Sequence, residues 1–181
     1  TVQAGAVFVT YGGPSGLSVP TAGQGGAWQR VDKSMGLGGA ALKAYDHFGY
    51  QLVAGNFNGD TYNGRPCIDI AVASAPIYRA KISAGQVSPS VAHGAVSVVR
   101  GGPGGLTASG SQHLEQGSMA GGIAIKDMEE YRDLFGAGLA ITAADTDGFD
   151  DLIIGAWGED ADAGAAHILR GSSQGITAVG Q

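Results

Sequence analysis

The sequence predicts an all-β chain in which a four-stranded antiparallel unit recurs, and three observations lead there. Glycine supplies 33 of the 181 residues and falls at recurring places. Three segments align, "GAVFVTYGGPSGLS" from Gly5, "GAVSVVRGGPGGLT" from Gly94 and "GAAHILRGSSQGIT" from Gly164. Each is a Gly, an alternating run with the period of a half-buried strand, a Gly-rich turn, and then Leu or Ile followed by Ser or Thr. No stretch sustains a helical period. Four short strands per repeat match the blade of a β-propeller better than a sandwich, so the predicted fold is a partial β-propeller of about two and a half four-stranded antiparallel blades.

Residues 1–45 read as the C-terminal half of a first blade plus a connection, because the chain enters at the "GAVFV" step without the opening strands. "GLGGAALK" from Gly36 has the glycines of a dinucleotide loop but neither a βαβ setting nor a following acidic residue, and it reads as the connection. Residues 46–132 form the second blade. It runs from "DHFGYQLVAGNFNGD" at Asp46 through an apolar strand, "DIAVASAP" from Asp69, to the Gly94 strand and its turn, with loop insertions. Residues 133–181 form the third, from "DLFGAGLAITAADTDG" at Asp133 through "DLIIGAWGED" at Asp151 to the Gly164 strand. A weaker echo lays "SMGLGGAALKAYDHFG" against "SMAGGIAIKDMEEYRDLFG"; within the latter, "KDMEEYRDLF" is predicted to be a single helical turn in a loop. Small residues inside the strands suit blades packed closely about an axis.

Composition narrows the function classes. The net charge is −6 with ten Lys and Arg spread thinly, which argues against nucleic acid as a partner, since that affinity rests on clustered positive charge. The apolar runs fall well short of the roughly 20 residues that cross a bilayer. Cys67 is the sole cysteine, so no intrachain disulfide is possible. The N-terminus starts directly in strand-like alternation, so either a leader has been removed or the chain is an excised piece.

One stretch demands an explanation. "AADTDGFDDLIIGAW", from Ala143 to Trp157, sets four carboxylates immediately before a buried strand. Like charges that close resist desolvation unless something neutralises them, and a bound cation does so. A solvated acidic turn is the plainer reading.

The Phe48-Gly49 and Phe135-Gly136 pairs, the "ASAP" and "IGAW" segments, the acidic loops and the "GAV" strands together resemble the FG-GAP repeat of integrin α-subunit propellers and of many bacterial secreted proteins. The resemblance covers nearly the whole chain. It implies a propeller, commonly seven-bladed, with calcium (Ca2+) held in the hairpin loop between the first two strands of several blades. The family loop resembles D-x-[DN]-x-D-G-x-x-D, which falls here on Asp145, Asp147, Gly148 and Asp151, with the backbone carbonyl of Phe149 as a further oxygen. Its first position is Ala143, which offers no side-chain oxygen and leaves that place to water. In the second blade the pattern falls on Asn56, Asn58, Asp60 and, after the insertion "TYNGRPCI", Asp69. Two neutral amides and the insertion make that loop the expected weaker or altered site. An EF-hand is excluded, since no flanking helices and no closing Glu are present.

The resemblance implies an extracellular or secreted binding, adhesion or scaffolding module rather than an enzyme. Its partners would be other blades, from the same longer polypeptide or from partner chains, and a protein or glycan ligand. The alternatives are the non-catalytic propeller part of a secreted hydrolase or lyase, and a lectin-like carbohydrate binder that uses Trp28 or Trp157. No catalytic constellation appears: no Ser sits in a nucleophile elbow, and Cys67 reads as a buried, inert thiol. His47, His93, His113 and His167 share no metal-like spacing and read as surface or capped residues.

Overall fold

The computed structural model describes residues 4–13, 16–17, 28–41, 46–74, 81–83, 86–88, 93–130 and 132–180. Ala75 and Pro76 of "ASAP", Pro14, Ser15 and Ser18 of the first Gly-rich turn, and Leu42 and Lys43 of the connection lie outside them. The fold is all-β, its sheets are antiparallel, and among the described residues none closes on itself. Among the described residues, no helix is long and apolar enough to cross a membrane.

Three sheets carry the repeats. The first pairs β1 (Val7–Thr10) with β2 (Trp28–Val31), Val7 opposite Val31. The second is a four-stranded meander of β3 (Leu52–Gly55), β4 (Asp69–Ser74), β5 (Ala95–Arg100) and β6 (Thr107–Leu114). The third joins β7 (Gly138–Thr142), β8 (Asp151–Ala156) and β9 (Ala165–Leu169), with a further bridge from Arg170 to Thr177. Register makes the last two sheets equivalent. Val72 of β4 lies between Leu52 and Ser97, as Ile154 of β8 lies between Leu139 and His167.

Alternation along β4 divides the core in two. Every residue of β4 is buried, so neither face of that central strand is free. Ile70 and Val72 join Val7, Val31, Leu37 and Phe48 in one cluster, toward the first sheet. Ala71 and Ala73 join Phe57, Phe135, Leu152 and Ile154 in the other, toward the third. Each fully buried large side chain contributes roughly 1.5–3 kcal/mol, so the interior Phe and Leu of these clusters dominate the adhesion between sheets.

The sheets are also stitched by backbone. Gly5 bridges Phe48 and Gly94 bridges Phe135, both in parallel, with Phe48 N donating to the Ala4 carbonyl at 2.9 Å and Phe135 N to the His93 carbonyl at 2.8 Å. Gly5 and Gly94 have φ of 86° and 88°, and a Cβ on either would overlap the carbonyl of the facing Phe. That close approach is why Gly opens each "GAV" strand and why Phe-Gly opens the next repeat.

The expected helical turn in "KDMEEYRDLF" does not form among the described residues. Asp127, Arg132 and Leu134 take φ of 71°, 76° and 54°, outside the right-handed helical region, while the Asp133 carboxylate caps the backbone N–H of Glu130. Tyr131 lies outside the described residues. The one α-helical segment described, Glu159–Asp162, is a single turn with Asp160 and Ala161 in the left-handed region.

Candidate functional site

The two acidic loops leave β3 and β7 in corresponding ways. Asn58 Oδ1 accepts the N–H of Asp60 at 3.1 Å, and Asp145 Oδ1 accepts the N–H of Asp147 at 3.1 Å. These short Asp/Asn-to-backbone bonds curl each loop so that alternate side chains share one side. In the later loop the curl continues, Asp147 Oδ1 accepting from Phe149 N at 3.0 Å.

Each loop is then anchored by the first residue of the next strand. Asp69 Oδ2 accepts from Phe57 N at 3.1 Å and its Oδ1 from Gly101 N at 2.8 Å. Asp151 does the same, with Ala144 N at 2.7 Å and Gly171 N at 2.9 Å. Both carboxylates are buried. They clamp an acidic loop to the Gly-rich turn that follows the third strand, and Gly101 and Gly171 are glycines because a Cβ would overlap the Ile68 and Asp150 carbonyls. Burial raises the Asp69 carboxyl above its ordinary value, against the lowering pull of its two backbone donors.

The later loop carries its own cation. Arg170 Nη1 lies 3.2 Å from Asp145 Oδ2 and 3.2 Å from Asp151 Oδ2. The N–H of Asp147 holds the Asp145 carboxyl below its ordinary range, with Arg170 assisting. Asp145 and Asp147 are exposed, and the Asp145, Asp147 and Asp151 carboxylates do not converge within 4.8 Å of one another. Phe149, the predicted carbonyl donor, lays its ring over Gly59 and so brings the two loops together. Asn56 N donates to Asp150 Oδ2 at 2.7 Å, and Ser172 N to the Phe57 carbonyl at 3.1 Å, completing that junction.

The earlier loop differs where it matters for a ligand. Asn56 Oδ1 and Asp60 Oδ1 are buried and accept no hydrogen bond. Asn56 Nδ2 is held by the Asp60 carbonyl at 3.1 Å, which fixes the amide with its oxygen turned away from that donor pair. Asn58 is buried as well. Oxygens left bare in this way cost free energy unless a cation or water meets them. The donor set, two amide oxygens and two carboxylates, is of the hard-oxygen type that a cation such as calcium takes.

Arg170 and its counterpart Arg100 were legible in "ILRGS" and "VVRGG" as basic residues at one repeat position, yet spacing alone does not show that the Arg170 guanidinium reaches back to Asp145 and Asp151. Arg100 bonds the Gln174 carbonyl of the neighbouring turn. Cys67 is half-buried rather than buried; burial pushes its thiol up, and the adjacent Asp60 carboxylate pushes it further. The histidines do not gather. His93 Nδ1 lies 2.8 Å from the Glu130 carbonyl and His113 Nε2 3.1 Å from Glu115, while His167 packs edge-on against Phe135 with ring centroids 5.4 Å apart. Among known proteins, no family model and no curated sequence matches the chain.

Proposed function

We propose that the chain is a calcium-stabilised segment of an FG-GAP-type β-propeller, a non-enzymatic binding, adhesion or scaffolding module that works outside the cell. The observation that carries the calcium is the pair of buried oxygens without donors, Asn56 Oδ1 and Asp60 Oδ1, in a loop built like its acidic neighbour. Asn56, Asn58, Asp60 and Asp69 would hold the ion. The order expected from charge alone is reversed on this reading, because Arg170 already pairs with Asp145 and Asp151 and offsets part of their charge.

The propeller reading is supported by sheets of one register packed face to face with the same Gly-to-Phe bridge between successive members. It is supported too by the end faces. Phe8 and Trp28, with ring centroids 5.8 Å apart, stand exposed on the outer face of the first sheet, and Ile168 stands exposed on the outer face of the third. Ile168 pairs with Ile153 as Val98 pairs with Ala71, and Val98 and Ala71 are covered by the following sheet. Further blades on both faces complete that pattern, which favours them over a sugar as the partner of the Phe8–Trp28 pair.

Calcium binding only the folded loop stabilises by about 2.7 kcal/mol at a hundredfold excess over Kd. For a chain of this size that is roughly a 5–10 °C rise in Tm. Titrating calcium into an EGTA-treated sample tests it. Asn56→Ala with Asp60→Ala should remove most of the rise, and Asp145→Ala with Asp147→Ala less of it. An unchanged Tm at millimolar calcium overturns the reading.

A further inference from the structure

A second group of oxygens lies outside the loops between first and second strands. At the head of the second blade the residue two places before Phe-Gly, Asp46, is buried and faces a buried ammonium of the first, Lys33 Nζ, at 2.6 Å from Oδ2. Asp133 holds the corresponding place before Phe135 and is fully buried. The position of Lys33 can be carried across by structure. Val31 ends β2 and Leu114 ends β6, both buried, and the turns that follow close with Met35 N on the Asp32 carbonyl at 3.1 Å and Ser118 N on the Glu115 carbonyl at 3.0 Å. Two residues beyond the strand, where the first repeat has Lys33, the second has Gln116.

The ammonium is therefore replaced by a neutral amide, while the negative charge around it grows. Glu130, Glu159 and Asp160 place one carboxylate oxygen each within 4.8 Å of one another. Glu159 is buried, and Gln116 Nε2 donates to its Oε2. Two further atoms point to a missing partner: Gln116 Oε1 and Asp133 Oδ1 are buried without any hydrogen bond, on side chains 5% and 0% exposed. Half a turn of the Gln116 amide exchanges its nitrogen for its oxygen without a change of shape. Carboxylate oxygens with an amide oxygen behind them are the hard donors that calcium takes.

We propose that Glu130, Glu159 and Asp160, backed by Gln116 and Asp133, bind a calcium ion that takes the role Lys33 plays in the preceding repeat. The site is independent of the Asn56 and Asp145 loops, so its fate and theirs are separable.

Equilibrium dialysis of the full chain against calcium counts the ions bound. Glu130 and Asp160 are exposed, so Glu130→Gln with Asp160→Asn leaves the fold intact and should bind one ion fewer than the unsubstituted chain. Asn56→Ala with Asp60→Ala should leave this ion in place. Gln116→Lys restores the ammonium; it should also bind one ion fewer and should melt higher than the unsubstituted chain in EGTA. Where Gln116→Lys fails to fold, the exposed pair decides alone. A Glu130→Gln, Asp160→Asn chain that binds as many calcium ions as the unsubstituted chain overturns the proposal.

Discussion

Asp69 and Asp151 have the clearest residue-level role, since each joins an acidic loop to a distant Gly-rich turn through two backbone N–H donors. Asp69→Ala leaves the Phe57 and Gly101 N–H groups buried without an acceptor. At about 1–3 kcal/mol for each, the loss is roughly 3 kcal/mol or more, read as a fall in the urea midpoint with an unchanged m-value. That Asp151 fixes its loop to the sheet was legible from its place at the head of an apolar strand. That Arg170 pairs with it was not, because a guanidinium on a long stem reaches a partner 19 residues away only once the sheet has formed. Glu159 makes a prediction of the other sign. Burial raises its carboxyl above the ordinary 4.5, and Asp133, Asp127 and Asp160 add to the rise. The folded state therefore holds this proton more tightly than the unfolded chain, so its stabilisation is complete below 4.5 and is lost as pH rises through the raised value. In EGTA, the unsubstituted chain should lose stability relative to Glu159→Gln as pH rises above the ordinary carboxyl value of 4.5. Parallel curves would show that Glu159 is not the group responsible.

At the scale of elements, the strand starts matter more than the strands' own propensities. Gly94 combines a positive φ with a contact that no Cβ fits, whereas Gly148 has a positive φ of 89° and open space around it. Gly148→Ala therefore costs only the backbone strain, about 1–2 kcal/mol. Gly94→Ala must also break the bridge to Phe135, so it should cost distinctly more, measured by the same denaturation midpoints. Repetition made both glycines visible in the sequence, and alternation made the strands visible. What sequence does not separate is a glycine needed for a turn from one needed because another backbone touches it, for that depends on which sheet packs alongside. The "KDMEEYRDLF" segment shows the same limit from the other side: its charged residues suit a helical turn locally, but the buried Asp133 captures the Glu130 N–H and Leu134 is bent into the left-handed region ahead of the Phe135 bridge. The likeness of the Asn56 and Asp145 loops was readable residue by residue, yet their difference, bare oxygens in one and Arg170 in the other, lies in partners brought from elsewhere in the fold.

At the scale of the whole molecule, the first and third sheets present exposed apolar side chains, Phe8, Trp28 and Ile168. The two central strands of the middle sheet are covered on both faces, and the outer two sheets show apolar residues where their equivalents are covered. Exposed faces and strand edges of this kind favour association. Phe8→Lys and Ile168→Lys, each at an exposed position, should weaken it without loss of fold. Light scattering on the isolated chain across a range of concentrations reads whether these faces associate. The account predicts a molar mass that rises with concentration and falls back toward that of one chain in the Phe8→Lys, Ile168→Lys double variant. A monomer at every concentration, unfolding in one sharp cooperative step, would contradict it.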